Sequence, residues 1–426
     1  MISRIKSALL IVLPIAGQIC AAALPTQPLA SPTGATNNLR SWIDPATGHR
    51  VVNLSHGLRN GLGFYFHQQP FIDASNMLFK ASAGRGQFLF QTTVPDGAPI
   101  QLSDRDTAYY EVVGQRRQEV FYFSRPDTNR GAIYAMNLHS RKHRLITDRL
   151  PFDNLYGVNL SINANETLLA TAYADDLGKH FNQYTREQRW DAFARLALTN
   201  HILTIGIDNG VIRDIHTTNA WLGHVQFSPH DPNLIEFCRE SSAATDPVKD
   251  RMWFIRADGT GLKRLYPQTL GREIVTHEFW DTQQPVVWFE LTLRTNAFNQ
   301  RFFIAGVDVK TGSVKRFLIP DEAQSIHYNI SRDGSMFCGD GGFHSMVEKD
   351  KGRPQWIWLF RRDGDRLKPE RLFNMQKQDY RLEPNVHFDP TGKWVIFTYN
   401  GDGNRQVLAV EINAAVRPDS KTSSSP

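Results

Sequence analysis

Cysteine is scarce in this chain, with three among 426 residues. A chain of this length buries enough apolar surface to hold itself together without covalent staples, so a disulfide framework is excluded as the organising element. Long hydrophobic runs are also missing. The one apolar block near the N-terminus is too short to cross a hydrocarbon layer as a helix, and no later stretch is long and apolar enough to do so. Charge of one sign is missing too: Lys+Arg 48 against Asp+Glu 43 leaves a net +5, spread along the chain. That balance suits an anionic small ligand or a glycan and argues against a nucleic-acid partner, which needs a concentrated basic stripe. Several motifs are absent. There is no GxSxG elbow, HExxH, CxxC pair, Walker loop or GxGxxG after a strand, so serine hydrolases of that type, zincins, P-loop enzymes and dinucleotide folds drop out.

Residues 1–24 read MISRIKSALLIVLPIAGQICAAAL. Arg4 and Lys6 precede a short apolar core, and Ala21, Ala22 and Ala23 offer small residues for cleavage, so residues 1–23 read as a signal peptide. The mature chain is then periplasmic or secreted, with no stable membrane insertion. Cys238 and Cys338 remain, each inside an apolar strand-like run, and are expected as buried free thiols. Residues 416–426 (VRPDSKTSSSP) read as a disordered tail.

Between these ends one unit recurs: a polar or His-containing start, an Asp-Pro, Asp-Gly or similar turn, then a β-rich run. It appears as HQQPFIDASNMLFKAS, GVNLSINANETLLATAYA, GHVQFSPHDPNLIEFC, THEFWDTQQPVVWFELT, SIHYNISRDGSMFCGDGG and EPNVHFDPTGKWVIFTYN. QEVFYFSRPDTNRGAIYAMNL supplies a seventh unit with a degenerate start. Hairpin signals close each unit, as in FIRADGTGLKRL and FFIAGVDVKTGSVKRF. Four short strands per unit without helical crossovers predict an all-β, seven-bladed β-propeller over residues 24–415. The last strand, QVLAVEINA, lacks a partner of its own, and the opening segment RSWIDPATGHRVVNLS is expected to complete its blade. Residues 174–198 lack strand alternation and read as one helical insertion, either a solvated excursion or a wall over the central cavity.

Blade-start loops and innermost strands converge on the axis of a propeller. The repeat phase therefore predicts that His67, His224, His277, His327, Glu383, Asn385 and His387 gather at one end of the channel. One histidine at a blade start is usually structural. Several at equivalent phase point to a shared site, because imidazole both ligates metals and transfers protons. The Asp-Gly pairs at 333–334 and 340–341 lack EF-hand spacing and read as turns.

With these residues laid out, the sequence resembles the oligogalacturonate lyase family. The resemblance is carried by SWIDPATGHRVVNLS, FYFHQQPF, GHVQFSP with EFCRE and DRMWFIRADG, THEFW, and SIHYNISRDGSMFCGDG. It implies a β-propeller that cleaves pectin fragments, and a divalent metal, manganese first, held by a His of THEFW, a Gln and a His-Pro-His. His277 matches the first ligand, whereas Tyr380 stands at the Gln position and Glu383, Pro384 and Asn385 at the His-Pro-His. The implied metal set is thus His277, Glu383 and Asn385, with His387 added from the same strand face.

The chemistry implied is β-elimination: a base removes the C5 proton of a uronate while its carboxylate is neutralised. The family is thought to use an arginine as base, which needs a strongly positive neighbourhood. Arg195 and Arg251 are the candidates here, and His224 is the better supported catalytic residue through its GHVQFSP motif. His67, Arg239, His327 and Tyr380 are expected to bind the acidic oligosaccharide. Two other readings stay open: a non-catalytic Tol-type propeller that binds peptide or glycan, and a lyase for another uronate polymer such as ulvan, where His/Tyr/Arg chemistry replaces the metal.

Overall fold

A recurring side-chain cap explains why the repeat is legible. At the turn after the first strand of several units, an Asp or Asn oxygen accepts the backbone N–H groups that follow it. Asp73 Oδ1 takes Ser75 and Asn76, Asn163 Oδ1 takes Thr167 and Leu168, and Asp389 Oδ1 takes Lys393 and Trp394. Short acidic and amide side chains mimic a backbone turn in this way, so the same residue types return at the same phase.

The computed structural model describes residues 40–413 except 84–85, 105–108, 125–130, 153–157, 241–249, 270–271, 295–299 and 343–354. The signal peptide and the tail expected from the sequence lie outside the described residues. Antiparallel meanders follow one another along the chain and form a β-propeller: four four-stranded sheets, one five-stranded sheet and one eight-stranded sheet. The eight-stranded sheet is two four-stranded meanders, 273–319 and 328–374, joined by a single parallel pair, Leu318 with Arg366.

The five-stranded sheet closes the molecule. Strand Arg50–Asn53 pairs with strand Gln406–Glu411, placing Val51 opposite Val410 and Asn53 opposite Leu408. The opening segment therefore completes the last blade, as the unpaired final strand predicted. Apolar clusters lie between consecutive sheets. Val52, Leu54, Trp394 and Ile396 from the closing blade pack on Phe71, Met77 and Phe79 of the next. A middle strand such as Trp394–Tyr399 is consequently buried along its whole length. One blade alone would leave such a strand wet on both faces.

Helices Leu177–Phe181 and Arg186–Leu196 form the insertion between strands Leu168–Ala174 and Asn200–Gly206. A Thr185–Gln188 capping box starts the second helix. Phe193 packs on Trp221, the first residue of the strand that carries His224. Cys238 and Cys338 are buried free thiols, as expected.

Candidate active site

The first strands of several blades carry a bulge, one extra residue facing the second strand. In strand Trp221–Phe227 the register shifts between Gly223 and Gln226, and in strand Glu273–Trp280 between Thr276 and Phe279. The residues absorbing these bulges are His224 and His277, both at φ 48°, and Asn385 has φ 57°. A left-handed backbone is uncommon for such side chains, and a bulge of this kind re-aims the side chain away from the strand's alternation. The imidazoles are turned towards one another as a result.

The rings form a continuous cluster. Centroid separations are 5.5 Å for His67 and His224, 6.2 Å for His224 and His277, and 4.6 Å for His277 and His327. Segment 64–68 lies among them. Phe66 stacks on His327 at 4.5 Å and meets His277 edge-on at 5.9 Å. The Tyr65 hydroxyl sits 3.4 Å from both His224 Nε2 and His327 Nε2.

Both of these imidazoles are oriented from behind by a buried carboxylate. His224 Nδ1 donates to Glu278 Oε1 at 2.7 Å, and His327 Nδ1 donates to Asp340 Oδ2 at 2.8 Å. Neither carboxylate has solvent exposure. Burial would lower the His327 pKa, but Asp340, with Glu383 and Glu290 adding, raises it above its ordinary value. Burial would raise Glu278, yet the Arg251 guanidinium and the His224 imidazole hold it well below the usual carboxylate range. Burial and the neighbouring imidazoles push His67 and His277 well down, so both are neutral rings. His67 Nε2 and His277 Nδ1 are buried without a hydrogen-bond partner.

The other expected residues divide. Glu383 joins the cluster, with an oxygen 3.8 Å from His327 Nε2. Arg251 lies behind His224: its Nε donates to Glu278 Oε2 at 2.8 Å and its Nη1 to Glu240. Burial disfavours that charge, but the surrounding carboxylates drive its pKa well above the usual arginine value. Paired with two carboxylates, Arg251 is an anchor for Glu278 and lacks the strongly positive neighbourhood that an arginine base needs. Arg195 is exposed on the helix Arg186–Leu196, and no described hydrogen bond or ion pair joins it to the cluster. Arg239 alternates with Cys238 and Glu240 on strand Leu234–Glu240, and its guanidinium stacks over Trp253 at 5.3 Å, away from the imidazoles. Tyr380 donates its hydroxyl to the Asp340 carbonyl at 3.0 Å. It braces the Asp340 turn.

The expected metal set is not assembled. His387 Nε2 faces two carbonyls, Tyr65 O at 3.1 Å and Gln68 O at 2.9 Å, so that nitrogen carries the proton and is not a ligand atom. Burial drives its pKa to about 4, a neutral structural ring. Asn385 Oδ1 accepts from the Phe66 N–H at 3.2 Å and Asn385 Nδ2 donates to Glu383 O at 3.0 Å. Of the expected set, His277 and Glu383 are the two that lie against His327. Among the described residues, the one trio of His, Cys, Asp or Glu donors gathered within 4.8 Å is His224, Cys238 and Glu278. Arg251 already lies against that trio, with Nη2 3.4 Å from His224 Nδ1, and burial keeps the Cys238 thiol protonated. A second cation there would meet a fixed guanidinium, so the trio does not fit a divalent ion.

Tyr65, Glu278 and Asp340 were missed by sequence reasoning. FYFHQQPF, THEFW and the Gly-Asp-Gly stretch contained all three, but only the histidines of two of these stretches stood out as chemistry.

Comparison with known proteins agrees with this architecture. The family model described as oligogalacturonate lyase matches residues 37–416. An oligogalacturonate lyase of Dickeya dadantii is 26% identical over 245 residues, 53% of this chain and 60% of that protein. An oligogalacturonide lyase of Pectobacterium atrosepticum is 25% identical over the same share of each. The chain thus aligns with about 60% of the length of these curated relatives. An oligogalacturonate lyase solved in complex with manganese superposes with a TM-score of 0.72 at 19% identity, over 87% of this chain and 95% of that one. An oligogalacturonate lyase from Vibrio parahaemolyticus gives 0.73 at 18%, over 87% and 96%. A family match that begins before the closing strand and runs past the last blade takes in every imidazole of the cluster: the chain belongs to the oligogalacturonate lyase family.

Proposed function

We propose that this protein cleaves oligogalacturonate, or a related uronic-acid oligosaccharide, by β-elimination to a 4,5-unsaturated uronate product, in the periplasm or outside the cell. One observation carries the reading beside family membership: two imidazoles, each backed by a buried carboxylate, present their Nε2 atoms to one partly open point of the cluster. The Glu278-backed His224 has the construction of a general base, with Nδ1–H fixed on the carboxylate and Nε2 turned to the Tyr65 hydroxyl in the cluster. It takes the C5 proton. His327, whose pKa the carboxylates around it raise, faces the negative charge that builds on the sugar acid. Arg251 keeps Glu278 ionised and His224 in one tautomer. His67, whose unpartnered Nε2 sits beside this pair, is a sugar-binding group. The manganese of the solved relative has no ready-made counterpart among these donors, and no step here is routed through an ion.

The test is incubation of the purified protein with galacturonate oligomers and a panel of other uronate oligomers, ulvan fragments included, following the ultraviolet absorbance of the conjugated product. Absorbance growth on oligogalacturonate supports the reading. Growth on another uronate alone reassigns the substrate. Silence on every member returns the protein to a binding role.

A further inference from the structure

We propose that Arg294 is a specificity-determining residue of this site, whose guanidinium binds the carboxylate of a third uronate unit, outside the two that the cleaved bond joins. The inference rests on the lyase reading above.

Strand Val286–Arg294 pairs with strand Gln300–Asp308 residue for residue, without a bulge, so its side chains alternate strictly. Trp288, Glu290, Thr292 and Arg294 therefore share one face. That face looks onto the next blade, because Trp288 meets Phe337 edge-on at 4.9 Å. It also borders the imidazole cluster. Glu290 Oε2 accepts from the Thr276 hydroxyl at 2.6 Å and lies 3.9 Å from His277 Nδ1. Arg294 stands further along the same face, a rise of about 13 Å from Glu290. That separation is longer than one sugar ring and suits an oligomer.

Arg294 also lies at the open end. Asn329 and His387, which follow His327 and Asn385 by two residues, hold the backbone of Phe66, Tyr65 and Gln68. Segment 65–68 therefore closes the cluster from the side towards which the first strands run. Approach is left from the other side, where first strands begin and second strands end, and Arg294 is the last residue of its second strand.

The bonding there is incomplete. Arg294 is half-buried, its Nε is buried without a hydrogen-bond partner, and no described carboxylate pairs with it. By contrast, the half-buried Arg117 and Arg144 each meet an acid, Asp208 and Glu119. Arg239 also has an unpartnered Nε, but its guanidinium covers Trp253. A second unpaired atom borders the Arg294 face. Gln324 donates from Nε2 to Glu290 Oε1 at 3.4 Å and leaves its buried Oε1 without a partner. Native structures rarely leave buried polar atoms unsatisfied. An idle donor for an anion and an idle acceptor for a hydroxyl are together what a uronate ring completes, with its carboxylate on the Arg294 fork.

Arg294→Gln removes the charge and keeps a polar side chain. In initial rates on trigalacturonate its KM should rise about 10–100-fold, with kcat within about threefold of wild type. On digalacturonate, which lacks the third unit, both constants should change less than about threefold. Arg294→Lys keeps the charge but loses the fork, and should raise KM on the trimer alone, about 3–10-fold. It carries the test if Arg294→Gln fails to fold by circular dichroism. If the protein acts on another uronate, its dimer and trimer replace these two. An unchanged KM for the trimer, equal rises on both substrates, or loss of fold in both variants overturns the inference and leaves the lyase reading intact. A wild-type protein inactive on every uronate removes that reading and the inference with it.

Discussion

His224 and His327 are built to the same plan and end up different. Each gives Nδ1–H to a fully buried carboxylate and points Nε2 at Tyr65. Behind His224 the carboxylate is shared with Arg251, which also pairs with Glu240. Around His327 there are three carboxylates, Asp340, Glu383 and Glu290. The acid behind His224 is thus paired with a guanidinium, whereas the carboxylates around His327 raise the pKa of that imidazole. Two identical side chains, 103 residues apart in the sequence, thus sit in different electrostatic surroundings, the division that a base and an acid of one reaction would need.

The largest effect should come from the base. His224→Ala is expected to lower turnover on oligogalacturonate about 10³-fold or more, while an exposed control such as Arg195→Ala stays near wild type. A His224→Ala protein with undiminished turnover would erase the distinction. Next comes the arginine that marks the His224 side. Arg251→Met strands two buried carboxylates and should cost about 3–5 kcal/mol of stability, read as a lowered Tm. An unchanged Tm would mean that Glu240 and Glu278 simply take up protons.

The His327 side should declare itself through pH. Its folded pKa lies above the ordinary imidazole value of 6.5, so the native state holds the proton longer than the unfolded chain does. The stabilisation is complete below 6.5 and is lost as pH rises through the folded pKa. Wild-type Tm should therefore decline above pH 6.5, and His327→Gln should flatten that decline. Parallel curves for the two proteins would place the charge elsewhere. The smallest effect concerns metal. Because His387 and Asn385 are engaged with the backbone, EDTA treatment should cost under about threefold in turnover. A complete loss reversed by Mn2+ would show the cluster reorganising round an ion.

Much of this was legible in the sequence. Turn-capping Asp and Asn residues at constant phase marked the units, and the unpartnered strand 406–411 pointed to its closure by the opening segment. Histidines at blade starts do converge. Their partners were not legible, for two reasons. His224 and His277 occupy bulges with φ 48°, where two-residue alternation no longer tells which face a side chain takes. The carboxylate behind His224 also comes from the next blade, 54 residues on, so no local motif links them. The same blindness made His387 look like a ligand, when its ring fastens the Tyr65–Gln68 backbone. Arg251, a candidate base by sequence, has two acids beside it that no local motif announced.

The closing blade has one more implication. Residues from both sides of the seam meet at Tyr65: His387 and Asn385 from the chain's last blade hold the loop that follows its first strands. Closing the ring and fixing the Tyr65 loop therefore depend on the same stretch of chain. A chain shortened before Asn385 would thus lose its seam and the hold on its Tyr65 loop together.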